Sequence, residues 1–121
     1  MANLTVQTST FAGLNYTNAA ADVAGDAFVN DGKTFLKFVN ANASSRTVTI
    51  PANDTSRPGF GDIATPDTVV TIPGSGTNGG LCVVGPFPTE RFNDPTTGKV
   101  NLAYSAVTGL GVSAVKLAGY Q

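Results

Sequence analysis

The sequence contains no histidine and no tryptophan, a single cysteine, and few charges of either sign. Without histidine, a Ser-His-Asp triad, most zinc sites and the ordinary proton shuttle at neutral pH are excluded. Without a second cysteine, no disulfide forms within the chain. Without tryptophan, a carbohydrate-binding module would lack its favoured stacking platform. No apolar run approaches the length of a membrane span. The opening residues, MANLTVQTST, have neither a basic n-region nor an apolar h-region, so no signal peptide is expected.

Charged residues make up 12% of the chain, against about 25% in ordinary soluble domains. Seven Lys plus Arg face eight Asp plus Glu, for a net charge of -1, and neither sign clusters. No field gathers phosphates or anionic lipid, so neither nucleic acid nor membrane is an expected partner. The surface is left to 16 Thr, 10 Asn and 14 Gly, which are uncharged and favour strands or turns. A solitary soluble domain ordinarily keeps more charge to stay dispersed. This composition therefore fits a chain packed against others, and equally a Thr-rich β domain. At 121 residues, one compact domain with its own core is expected, needing no metal or disulfide.

Turn signals recur at short intervals: Asn30-Asp31-Gly32, Pro58-Gly59, Pro73-Gly74, Asn78-Gly79-Gly80, Pro86 with Pro88, Asp94-Pro95, and Gly109 with Gly111. This punctuation leaves room for short strands and little room for helices. The strand candidates are LTVQTS (4–9), DAFVN (26–30), TFLKFVN (34–40), RTVTI (46–50), DTVVTI (67–72), GLCVVG (80–85), KVNLAYS (99–105) and VSAVKL (112–117). Val48 and Ile50 oppose Thr47 and Thr49, and Val100, Leu102 and Tyr104 oppose Asn101 and Ala103, as half-buried strands require.

About eight such strands predict an all-β, single-domain antiparallel β-sandwich, jelly roll or small barrel. TFLKFVN and RTVTI read as a hairpin around an Asn, Ala and Ser loop, and NDG as the tight turn before it. GLCVVG has no polar face and reads as a central strand covered on both sides. PGSGTNGG (73–80) reads as a hairpin loop, since it lacks the Lys and Ser/Thr of a P-loop.

NAAADVAGDA (18–27) predicts at most a turn of helix, because its apolar residues are mostly Ala and it contains Gly25. Residues 52–66 predict a long surface loop. Residues 1–17 are either an edge strand or an arm that pairs with a neighbouring chain, with the sandwich occupying 18–121.

Chemistry finds little purchase. Cys82 lies between apolar neighbours that would raise its pKa, which disfavours a nucleophile. Most carboxylates sit beside Gly, Pro, Asn or Thr, where Asp forms turns and caps, so paired glycosidase acids are not expected. Asp22, Asp26, Asn30 and Asp31 supply oxygens but not the spacing of an EF-hand loop, and a turn explains them better. No catalytic residue, cofactor or metal is expected.

The order GDAFVNDGKTFLKFVNANASSRTVTI, DTVVTIP, GLCVVGPFPTERFND and GKVNLAYSAVTGLGVSAVKL resembles the small all-β head proteins of tailed bacteriophages. These include decoration, or cement, proteins. The likeness runs from Gly25 to Leu117 and rests on the NDG turn, the strand ending at Asn40, the GPFP segment at 85–88 and the YSAVTG turn at 104–109. It implies a non-enzymatic virion structural protein with a jelly-roll-like sandwich, clustered as a homotrimer. Such a protein clamps the major capsid protein on the exterior of the shell. A neck, tail or fibre-base component, or a carbohydrate-binding module, are the alternatives.

The contact candidates are Phe11, Leu14 and Tyr16 in the lead-in, Arg57, Pro58 and Phe60 in the long loop, and Phe87, Glu90, Arg91 and Phe92 after GPFP. Aromatics beside arginine are common interface anchors. Phe60, Phe87 and Phe92 would equally serve to plug the ends of the sandwich.

Overall fold

The structure, a computed structural model, describes residues 2–10, 12–52, 56–57, 61–62 and 67–117. In chain order these form β1 (Ala2–Asn3), β2 (Val6–Ser9), β3 (Ala19–Ala20), β4 (Asp26–Val29), β5 (Thr34–Asn40) and β6 (Arg46–Ile50). There follow β7 (Ser56–Arg57), β8 (Gly61–Asp62), β9 (Thr68–Ile72), β10 (Leu81–Val84), the single helical turn α1 (Thr89–Phe92), β11 (Lys99–Tyr104) and β12 (Leu110–Leu117). The first sheet has the order β1-β4-β11-β6-β9, and the second β10-β5-β12-β2 with β3 also on β12. The molecule is an all-β sandwich. Among the described residues no helix is long and apolar enough to cross a membrane.

Alternation places the core. In β6, Val48 and Ile50 are fully buried while Thr47 and Thr49 are half-buried; in β11, Val100 and Leu102 point inward in the same way. The second sheet answers with Leu36 and Phe38 from β5 and Val112 and Ala114 from β12. The layers meet where the Phe38 and Tyr104 rings stand edge to face, 6.3 Å apart. Each large apolar side chain buried in this way stabilises the fold by roughly 1.5–3 kcal/mol.

Pairing differs from the expected hairpins. The 34–40 and 46–50 strands do not pair with each other: β5 lies between β10 and β12, and β6 between β9 and β11. The loop at 41–45 therefore crosses from one layer to the other. Asn40, fully buried at this corner, explains how. Its Nδ2 donates to the carbonyls of Ser44 (2.9 Å) and Pro73 (3.1 Å), and its Oδ1 accepts the Asn42 N–H (3.0 Å). The polar loop is thus closed by one side chain instead of by strand pairing.

The NDG turn is a second layer crossing, from β4 to β5. Asn30 Oδ1 accepts the Gly32 N–H at 3.0 Å, and Asp31 Oδ1 accepts from Lys33 N (2.9 Å) and Thr34 Oγ1 (3.2 Å). The Lys33 N–H, ahead of the Thr34 hydroxyl, holds the Asp31 carboxyl below its ordinary value. Segment 73–80 likewise joins β9 in one sheet to β10 in the other, and does not close a hairpin.

Two further expectations are corrected. GLCVVG is an edge strand: among the described residues β10 pairs only with β5, and Leu81 and Val83 are 59% and 62% exposed. Its inner residues, Cys82 and Val84, pack against the core, so the run is apolar on both faces but covered on one. The sandwich is also not wholly antiparallel. The first strand runs parallel to β4 at Ala2–Asn3 and then parallel to β12 at Val6–Ser9, bridging the edges of both sheets within its own chain. Leu4 and Val6 pack against the core on the way.

Candidate functional site

The outer face of the second sheet brings together three exposed apolar side chains, Tyr16, Leu81 and Val83, while Val23, Val29 and Val69 are exposed elsewhere. Register sets Leu81 opposite Val39 and Val83 opposite Lys37. The lead-in crosses this face on its way to β3. It is pinned by Gln7, whose Nε2 donates to the Thr17 carbonyl (3.0 Å) and whose Oε1 accepts the Thr17 N–H (2.9 Å). This side chain supplies the donor and the acceptor that a strand partner would offer.

The lead-in delivers Tyr16, 39% exposed, to Lys37, whose Nζ sits 4.1 Å from the ring centroid. Such a cation–π contact contributes about 0.5–1 kcal/mol at an exposed site. Tyr16, Lys37, Val39, Leu81 and Val83 border a shallow hollow of about 160 Å³ whose floor includes Cys82. Cys82 is half-buried, and burial pushes its thiol pKa up, leaving it a small hydrophobe.

The other contact candidates are dispersed. Leu14 is half-buried in the lead-in. Phe87 and Phe92 are in the core at 4% and 5% exposure. Phe87 packs on Phe28 with centroids 5.6 Å apart and on Phe92 at 5.7 Å, while the Arg91 guanidinium lies 4.8 Å from the Phe92 centroid. Phe87 and Phe92 thus close one part of the sandwich. Glu90 lies in α1 and Arg57 in β7. Phe11, Pro58 and Phe60 lie outside the described residues.

α1 is fixed to the body by a pair of asparagines. Asn30 Nδ2 donates to the Phe87 carbonyl (3.0 Å) and Asn93 Oδ1 (2.7 Å), and Asn93 Nδ2 returns a bond to the Asn30 carbonyl (2.9 Å). The oxygen-bearing residues between 22 and 31 are consequently dispersed. Asn30 turns to α1, Asp31 closes the turn and Asp26 enters the interior. Among the described residues, no group of three or more His, Cys, Asp or Glu could hold a metal ion.

Sequence reasoning missed Leu81 and Val83 as surface residues, because a run without a polar face reads as doubly covered. It also missed Asp26. That residue lies in β4 with no exposure, and its Oδ2 accepts the Tyr104 hydroxyl at 2.7 Å and the Asp22 N–H at 3.3 Å. Burial, then the bond to Asp26, then the charges of Asp26 and Asp22 hold the Tyr104 phenol far above its ordinary value of 10.0.

The sign of the pH effect follows. Below about pH 10 the folded and unfolded chains both keep this phenolic proton, and above it only the folded chain does. Tyr104 is therefore expected to lower stability by up to about 1.4 kcal/mol per pH unit above pH 10. Urea midpoints between pH 8 and 11 check this, with a shallower decline expected in Tyr104→Phe. Equal slopes in the two proteins would refute it.

No protein-family model matches the chain, and neither a curated protein nor a solved structure matches it.

Proposed function

We propose that the chain is a non-enzymatic structural protein of a tailed-bacteriophage virion. In this reading it is a decoration protein that docks on the outer major-capsid lattice as a homotrimer and reinforces the head. The observation that carries the surface part of this reading is β10. Its four residues contain no charge, its outer edge has no strand partner among the described residues, and it exposes Leu81 and Val83.

Proteins that live alone protect such edges with lysine, proline or a bulge, because an open apolar edge captures other strands. In a chain with 12% charged residues, an uncovered edge supports a life spent against neighbours. The phage assignment itself rests on the likeness of the Gly25 to Leu117 pattern to phage head proteins. Several modest contacts per trimer would add through multivalency, so no single tight interface is required.

The test is sedimentation of the purified protein with expanded capsids and, separately, with tails of the phage that encodes it. Saturable binding to shells at a lattice-defined stoichiometry is expected. The double substitution Leu81→Asp, Val83→Asp is expected to weaken it at least tenfold, since losing two apolar contacts costs about 2 kcal/mol or more. Binding to tails and not to shells would move the protein to another part of the virion.

A further inference from the structure

Hydrogen-bond parity fixes which backbone groups β10 leaves unused. The Ala41 N–H donates to the Gly109 carbonyl at 2.8 Å, one step beyond the register that sets Asn40 opposite Leu110. On the other flank of β12, the Leu110 carbonyl accepts the Ala21 N–H at 3.0 Å. Odd-numbered residues of β5 therefore bond β12 and even-numbered ones bond β10, because successive residues of a strand turn their N–H and C=O groups to opposite sides. Opposite Phe38 and Leu36 stand Cys82 and Val84, whose backbone groups are thus spent on β5.

Those of Leu81 and Val83 point to the open edge. The Gly85 N–H points the same way, since it lies anti to the Val84 carbonyl across a trans peptide. The Leu81 N–H is taken by the Asn78 carbonyl. The edge therefore offers, in order, the Leu81 carbonyl, the Val83 N–H and carbonyl, and the Gly85 N–H. None of these has a hydrogen-bond partner among the described residues, and all three residues are exposed.

That order is its own complement. Related by a twofold axis at Val83, a second β10 lies antiparallel, with Val83 opposite Val83 and Leu81 opposite Gly85. Each Val83 N–H then meets the other copy's Val83 carbonyl, and each Gly85 N–H meets the other copy's Leu81 carbonyl, so every free group is paired. The ladder is bounded by the turn at Asn78–Gly80 and by Pro86, which has no N–H. The side chains suit this register. Leu81 faces a residue without a side chain, and the two Val83 side chains form a cross-strand pair. LCVVG contains no charge, so no like charges meet across the axis.

We propose that two copies of the free chain pair edge to edge through β10, joining their second sheets into one continuous sheet. Twofold pairs are the commonest homo-oligomers, and this one satisfies an edge that would otherwise capture unrelated strands. A twofold contact is no part of a threefold ring, and the same edge cannot at once lie on a shell. The pair is therefore the form held away from any capsid, and it does not rest on the capsid reading.

Sedimentation velocity of the full chain is expected to show a monomer–dimer equilibrium with a dissociation constant on the order of 100 micromolar, weak because the ladder is short. Amide exchange followed by NMR reads the edge itself. Protection at Val83 and Gly85 is expected to rise with concentration, while Cys82 and Val84 are protected throughout. Val83→Pro removes the central donor and spares the β5 ladder, because that N–H faces outward. It is expected to weaken the dimer at least about tenfold. Val83→Lys keeps every backbone group and sets like charges face to face, with a similar loss expected. Circular dichroism checks that each variant is folded. A chain still monomeric at concentrations on the order of millimolar, protection at Val83 and Gly85 that ignores concentration, or undiminished pairing in either folded variant would each overturn the proposal. So would a trimer as the smallest assembled species, an outcome that leaves the capsid reading intact.

Discussion

Replacing Phe38 with alanine is expected to destabilise the fold by about 3–5 kcal/mol, the range for removing a fully buried aromatic side chain. Phe38 is 2% exposed in β5, which has strand neighbours on both sides, and its ring meets Tyr104 of the opposite sheet. Its removal takes away apolar area from both layers at once and leaves a cavity that two hydrogen-bonded sheets are poorly able to collapse. Domains of this size are stable by about 5–15 kcal/mol, so the substitution consumes a large share of the whole. Urea unfolding of the purified variant checks it. The same substitution at Phe35, on the outer and half-buried face of β5, is expected to cost about half as much or less. A Phe38→Ala cost below about 1 kcal/mol would mean that the sheets do not pack through this ring.

The second large effect is expected at a residue with no side chain. Gly80→Ala should cost about 3–5 kcal/mol, through two causes that add. Gly80 has φ of +73°, in the left-handed region, where an L side chain costs about 1–2 kcal/mol. A Cβ there would also collide with the Asn40 carbonyl oxygen and press on its backbone. Asn40 cannot yield freely, because its side chain holds Ser44, Pro73 and Asn42 together. The neighbours supply the controls. Gly79 has φ of +65° with open space at its Cβ position, and Gly76 has open space and no positive φ. Gly79→Ala is expected to cost about 1 kcal/mol and Gly76→Ala to be nearly neutral. Equal thermal midpoints for all three variants would remove the corner from the account of the fold.

These two predictions differ in what the sequence could reveal. Phe38 was legible only in part: TFLKFVN sets Leu36 and Phe38 on one face and Phe35 and Val39 on the other, so both faces read as largely covered. Gly80 was legible only as a turn residue, since the carbonyl it must avoid belongs to Asn40, far earlier in the chain at the end of β5. The extents of β5 and β6 agree with the alternation to the residue. Their pairing does not, because alternation fixes which face is buried and not which sheet supplies the cover.

GLCVVG shows the limit most clearly. An apolar run covered on both faces and an apolar run left open at an edge have the same letters, and only the absence, among the described residues, of a strand beyond β10 tells them apart. Phe87 and Phe92 show the opposite limit. Set beside Arg91 in a segment rich in turn residues, they read equally as surface anchors and as plugs, and the asparagine pair that draws α1 against the body is what buries them.

By itself the sequence determined the all-β class, the position of nearly every long strand and the inward residues of β6 and β11, because these depend on a period of two and on turn residues a few positions apart. It also determined that histidine chemistry is absent. The tertiary structure decided the rest: the crossings between layers at Asn30 and Asn40, the open edge at Leu81 and Val83, and the buried bond between Asp26 and Tyr104. Each of these joins residues far apart in the chain, through contacts that exist only once two sheets have closed on one core. Local alternation carries no record of such partners.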